Sequence, residues 1–559
     1  MNNFFVLEFI DNRKKDKSLQ NRLLTISFLI AILGLVIIMR LVEVSFPNND
    51  KIFIKTSEKE KLKKQDRGFI LDRNDRIVAS NIYIYNLKAY PKKIKKPKNT
   101  LSLLEKEIKL ANREKILEKL KNKKKYEVII VKNITAPQAK KVNDIGIPGI
   151  EFVPVMKRFY PHQELTSHYV GHVNDNMLGQ LGAERTFNDE LSLGKNVKLG
   201  LDIKVQYVVR EELKKASIKY NVKSSTAIIA DINNGEILSL VSLPDFNPNK
   251  SINPKANSYT NTATLNLYEM GSTFKIFSIA AALEKSKINL ESKFDATKPI
   301  KISDYTIKDY KPKNKILSTK EVFLNSSNIG SSLIALELGK NNLKNFYYDL
   351  GLLTSSKINL DEKTKPIVPK KWGKIETATL SFGHGLSISP IQMVEAASKL
   401  FNNNKNFITK IHKKNNNQKI EKINFLSSNT VNLLKELMYE NTIVGTAKKA
   451  RLQGYNIGGK TATGEKPENG KYDKYKLVSS FLAIFPIEDP KYISLVLFDE
   501  PILDNDNKFS QGATGGLTAA PVTAKILRRI FPILGITKKF KSDEEIKRKD
   551  GSEFNLVSY

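Results

Sequence analysis

Apolar positions along the chain fall into three kinds of run. Leu23 to Met39 reads LLTISFLIAILGLVIIM, about 17 uncharged residues, at the lower end of what spans a bilayer. Leu41, Val42 and Val44 can extend it past Arg40. Tyr268 to Ile288, YEMGSTFKIFSIAAALEKSKI, is apolar nearly all round a helix after Gly271, which predicts a buried helix. Phe323 to Gly339, FLNSSNIGSSLIALELG, holds a second apolar helical run. Near the C-terminus, LVSSFLAIFPI and YISLVLFDE flank the turn EDPK, which predicts a β-hairpin. The preceding GGKTATG then lies on or beside a strand of an antiparallel sheet.

The first run reads as an anchor. Arg13, Lys14, Lys15, Lys17 and Arg22 precede it, while Arg40, Lys51, Lys55 and Lys59 lie beyond. This modest bias keeps the N-terminus in the cytoplasm. No small-residue cleavage site follows, so the segment is expected to stay uncleaved. Residues 1–22 are then cytoplasmic, 23–44 transmembrane, and about 515 residues lie outside the cytoplasm.

The 559 residues predict two or more domains. Cysteine is absent, which excludes a disulfide scaffold, a Cys-based zinc site and a Cys nucleophile. Five histidines (His162, His168, His172, His384 and His412) leave few candidates for a Ser-His-Asp triad. The net charge is +34, but the lysines are scattered and no zinc-finger spacing or RNA-binding aromatic motif is present. A nucleic-acid partner is not expected; anionic lipid or an acidic polymer suits the charge as well. No metal or organic cofactor is expected.

Gly454 to Thr461, GYNIGGKT, fits the phosphate-cradling pattern G-x-x-x-x-G-K-[ST], and YISLVLFDE resembles an acid-tipped strand that holds magnesium. The context opposes a P-loop. VGTAKKARLQ upstream is no buried strand, and ATGEKPENGKYDKYK downstream is no helix.

Ser272 and Lys275 offer different chemistry. Three positions apart at a helix start, they share a face. No acid lies three or four positions from Lys275, so burial should lower its pKa and make it a candidate general base. Ser272 is the candidate nucleophile, and its amide can help hold an oxyanion. Alone, the pair also fits a capping serine and a snorkelling lysine. Two further boxes change that balance: Ser326-Ser327-Asn328 before the second apolar helix, and Lys460-Thr461 in GGKT. Ser-x-x-Lys, Ser-x-Asn and Lys-Thr in this order form the set found in penicillin-binding proteins and β-lactamases.

With these boxes the sequence strongly resembles class B penicillin-binding proteins of the FtsI type, the division-specific peptidoglycan D,D-transpeptidases. DRGFILDRNDRIVASN, KRFYPHQELTSHYVGHV, GQLGAERTFNDEL, SFGHGLSISPIQMVEAAS and ATGGLTAAPVTAKILRRI are similar to family segments, as is the pairing of VGTAKKA with GYNIGGKT. The resemblance implies an α+β fold: the anchor, an elongated non-catalytic α+β pedestal over 45–195, and a serine β-lactamase-like transpeptidase domain over 196–535. In that domain an antiparallel sheet is flanked by helices; 536–559 is a tail.

It also implies roles. Ser272 attacks the penultimate D-Ala carbonyl of a peptidoglycan stem, and Lys275 takes its proton. Ser326 and Asn328 relay protons and orient substrate, and Lys460 tunes the network. Thr461 and Thr463 hold the terminal carboxylate. The N–H groups of Ser272 and Thr463 form the oxyanion hole. β-Lactams trap Ser272. Implied partners are stem peptides, a membrane glycan polymerase of the FtsW type and other division proteins. The implied location is the bacterial inner membrane, with the bulk periplasmic. A D,D-carboxypeptidase or β-lactamase would use the same boxes, and a catalytically weak scaffold would explain a decayed site.

Two departures stand out. Ala462 replaces the glycine of Lys-Thr-Gly, where a methyl group is expected to crowd substrate, and glycine comes later, at Gly464. Asn74-Asp75 stands where the family has Asn-Gly. Phe401 to Asn424, rich in Asn and Lys, is expected to be a variable surface loop.

Overall fold

The computed structural model describes residues 24–39, 66–402, 409–413, 425–468, 471–503 and 512–538. Contacts divide the chain into Met1–Asp66 and Arg67–Tyr559. In the first unit, residues 24–39 form a helix with exposed apolar side chains. Among the described residues no helix is long and apolar enough to cross a membrane. Leu23 and residues 40–44 of the expected span lie outside the described residues, as do the 1–22 segment and most of the C-terminal tail.

In the second unit, the long strand Ile77–Ala89 is the spine of the first sheet. It pairs antiparallel with Val128–Ile134, Ile150–Phe159 and Ile70–Leu71. Ile70–Leu71 also pairs in parallel with Val197–Lys198. Helices Pro97–Glu107, Arg113–Lys121 and Ala136–Asp144 contribute Leu101, Leu104, Ile116, Leu120 and Val142 to a core shared with these strands. Asn112 and Thr135 cap two of these helices through their side chains. At the Asn74-Asp75 departure, Asp75 adopts φ 64° and binds Lys198 at 2.6 Å. Aspartate tolerates that left-handed turn, so glycine is not required.

A buried charge cluster ties the ends of this region together. Glu184 is fully buried and accepts from Arg67 Nε at 2.8 Å and Arg158 Nε at 2.6 Å. Arg158 also donates to Gly68 O and Asn81 Oδ1.

A second sheet has five strands, all antiparallel. Their order is Gly458–Glu468, Lys471–Phe485, Tyr492–Asp499, Ser224–Asp231, Ile237–Leu243. Its apolar positions alternate between two cores. Ile228, Ala230, Ile493, Leu495 and Leu482 face one, with helices Lys275–Lys285, Asn328–Leu338 and Pro390–Phe401. Ala227, Ile229, Val496, Phe498 and Phe481 face the other, with Ile203–Lys219 and Ala519–Ile530. Burial on both faces explains why these strands read as continuous apolar runs.

The expected hairpin is present, with Phe485 opposite Tyr492. GGKTATG lies within the edge strand Gly458–Glu468, and no helix follows it directly, so the P-loop reading falls. The described parts of the expected variable loop, residues 401–402 and 409–413, are better integrated than a surface loop: Phe401 ends the helix Pro390–Phe401 and is buried. Ile411 is buried and its carbonyl accepts from Tyr169 Oη at 3.1 Å.

Candidate active site

Ser272 stands on a one-turn 3-10 helix, Gly271–Phe274, and the α-helix begins at Lys275. This refines the expected helix start: the serine belongs to the tighter turn that enters it. Gly271 has φ 53°, and a Cβ there would lie 3.0 Å from Thr463 O. A side chain at this position would press the Ser272 turn against the edge strand.

Lys275 is fully buried. Its Nζ lies 2.9 Å from Ser272 Oγ, 2.7 Å from Asn328 Oδ1, 2.9 Å from Ser326 O and 3.3 Å from Ser326 Oγ. Ser326 has φ 57° and ψ 41°, left-handed geometry that is uncommon outside glycine. The turn aims both its carbonyl and its hydroxyl at Lys275. Ser327 caps the following helix by accepting from Gly330 N.

Lys460, also fully buried, donates to Ser326 Oγ at 2.9 Å. The three boxes, spread over nearly 200 residues, therefore meet around one hydroxyl. Burial drives the Lys275 pKa well below the usual lysine range; Lys460 lowers it further and Asp309 raises it. Burial also brings Lys460 down to about 7. Aromatic rings flank both ammonium groups: Phe382 at 5.9 Å from Lys275 and Phe323 at 5.6 Å from Lys460.

The remaining predicted residues lie on the same strand. Thr461 Oγ1 donates to Thr446 Oγ1 at 2.7 Å, and Thr463 Oγ1 accepts from Gly515 N at 3.1 Å. Asn441 braces this arrangement, donating to Gly459 O and accepting from Thr446 N. VGTAKKA and GGKT thus meet through two threonines.

Ala462 stands two positions after Lys460 on the same strand. It is 3% exposed, on the strand face it shares with Lys460. The close backbone approach occurs at Gly464, where a Cβ would come within 2.9 Å of Glu269 O.

Several site residues were not legible in sequence. Asp309 binds the second box from a separate loop. Glu269 accepts from Tyr472 Oη at 3.1 Å, and burial pushes its carboxyl up to about 7. Tyr472 stacks on His384 at 5.2 Å. Burial and Lys275 hold that imidazole down at about 4. Among the described residues no group of His, Cys, Asp and Glu is placed to hold a metal ion.

Residues 225–528 match the family described as the penicillin binding protein transpeptidase domain. The chain belongs to that family. Residues 63–198 of this penicillin-binding protein match the penicillin-binding protein dimerisation domain. A probable peptidoglycan D,D-transpeptidase FtsI of Caulobacter vibrioides is 32% identical, over 85% of this chain and 82% of its own. The stage V sporulation protein D of Bacillus subtilis is 29% identical over 94% and 87%. A probable peptidoglycan D,D-transpeptidase PenA of Neisseria meningitidis is 28% identical over 84% and 85%.

Proposed function

We propose that this penicillin-binding protein is a serine D,D-transpeptidase that cross-links peptidoglycan stems during septal wall synthesis. The contact that carries the reading is Lys275 Nζ at 2.9 Å from Ser272 Oγ, with Asn328 Oδ1 and Ser326 O on its other side. A neutral amine there donates its two N–H groups to those oxygens and turns its lone pair to the Ser272 hydroxyl.

Ser272 Oγ attacks the penultimate D-Ala carbonyl as its proton passes to Lys275. The oxyanion rests on the N–H groups of Ser272 and Thr463. The C–N bond to the terminal D-Ala breaks, and the departing nitrogen takes the proton through Ser326. Thr461, Thr463 and the Lys460 charge receive the terminal carboxylate. An amine of a second stem then attacks the acyl-enzyme. The new C–N bond forms, the Oγ–C bond breaks, and Ser272 regains its proton.

The N-terminal apolar segment supports an inner-membrane anchor, with the pedestal (45–195) and catalytic domain (196–535) outside the cytoplasm. The reading includes a membrane glycan polymerase and other division proteins as partners.

Intact-mass measurement of the solubilised full chain with a penicillin, beside Ser272→Ala, tests the reading. A stable adduct on the parent alone supports it. A transient adduct with released product favours a hydrolase; no adduct on folded parent favours a scaffold. Incubation with a D-Ala-D-Ala stem and an amine acceptor should give cross-linked product in excess of hydrolysis.

A further inference from the structure

Asp309 lies in the irregular stretch between strands Tyr305–Ile307 and Ile316–Ser318, outside all three boxes. Its carboxylate nonetheless grips the second box. Oδ1 accepts from Asn328 N at 2.5 Å and Ile329 N at 3.0 Å, and Oδ2 accepts from Ser327 Oγ at 2.8 Å. It thus sits on the N-terminus of helix Asn328–Leu338, where backbone N–H groups and the helix dipole favour an anion. The preceding carbonyl, Lys308 O, accepts from Asn328 Nδ2 at 3.2 Å. With Nδ2 so engaged, the amide must turn Oδ1 to Lys275.

We propose that Asp309 is a positioning residue for acylation, holding Asn328 against Lys275 and placing a negative charge behind it. It touches neither substrate nor the reacting atoms. The inference rests on the reading of Lys275 as the base for Ser272.

The charges acting on Lys275 explain why this matters. Lys460 opposes its protonation and Asp309 favours it; the His384 ring beside it is neutral at physiological pH. A base buried beside a second lysine would become too weak to draw the serine proton. A carboxylate behind Asn328 opposes that weakening without forming an ion pair with the amine.

The test is the pH profile of penicillin acylation for the full chain, measured for the parent, Asp309→Asn, Asp309→Ser and Asp309→Glu. Removing the charge lowers the Lys275 pKa, so its neutral form persists to lower pH. The acid limb of both neutral variants should move to lower pH. Their plateau rate should fall by up to about a hundredfold, the scale of an ångström-size misplacement. Asp309→Glu should return the limb to the parent position. Slower acylation with an unmoved acid limb would overturn the proposal and leave Asp309 a structural cap. Should Asp309→Asn not fold, Asp309→Ser makes the same comparison, since serine retains a capping oxygen. A parent that forms no adduct defeats the proposed function itself, a different result from an acylating parent whose variants share its limb.

Discussion

Lys460 Nζ donates to the Ser326 hydroxyl across 2.9 Å, joining the edge strand of the sheet to the left-handed turn between two helices. The lysine is fully buried, and its Nζ also reaches Thr461 O at 3.3 Å. That arrangement holds a buried cation at a cost in stability.

Lys460→Met should separate the two effects. Acylation should fall at least a hundredfold, while the fold gains on the order of 1–4 kcal/mol from replacing a buried cation with an apolar chain. In the parent, the folded pKa of about 7 lies below the ordinary 10.5. The unfolded chain therefore binds the extra proton between those values, and stability rises with pH across that window. The methionine variant should show a smaller rise, that of Lys275 remaining. Thermal melts from about pH 6 to 10 would reveal it, and a loss of stability would contradict the prediction. In acylation, the parent should show an alkaline limb near pH 7 as the Lys460 charge is lost.

Glu269 should act in the opposite sense. Burial raises its carboxyl from 4.5 to about 7 while it accepts from Tyr472. The folded chain then holds the extra proton, so this contribution is complete below about 4.5 and is lost as pH rises through 7. Glu269→Gln should flatten that decline in melting temperature. Tyr472→Phe should lower stability by about 1 kcal/mol, the usual net worth of one hydrogen bond; an unchanged melt would mean the contact is idle.

Gly271→Ala should be worse than its size suggests. The left-handed φ of 53° and the 3.0 Å approach to Thr463 O both oppose a methyl group. The strain should cost about 1–3 kcal/mol, and acylation should fall roughly a hundredfold as Ser272 shifts from its base. Stopped-flow acylation beside urea unfolding checks both. Parent-like acylation would show that the turn has slack.

Glu184→Ala tests the buried cluster far from the chemistry. It leaves the Arg67 and Arg158 guanidinium groups buried without their shared carboxylate. Destabilisation of about 3–5 kcal/mol is expected, read by urea unfolding. A change below 1 kcal/mol would indicate that water reaches the arginines.

The first two boxes were legible as motifs because their residues are close in sequence. Ser272 and Lys275 are a helical turn apart, and Ser326 and Asn328 share one turn. The apolar runs likewise foretold the hairpin and the buried helix. What could not be read was fixed by tertiary contact. Asp309 meets the backbone 19 and 20 positions on, from a loop with no periodicity. Tyr472 reaches Glu269 across 203 positions.

The sheet order has a consequence for the chain during its synthesis. Ser224–Asp231 pairs with Ile237–Leu243 on one side, but its other neighbour is Tyr492–Asp499, made more than 250 residues later. Lys460 lies on a strand that joins only through that latecomer. A nascent chain can carry a finished serine helix and still have no second lysine beside it. Reactivity toward penicillin would therefore arise in one step near the end of assembly, leaving a partly made chain chemically silent.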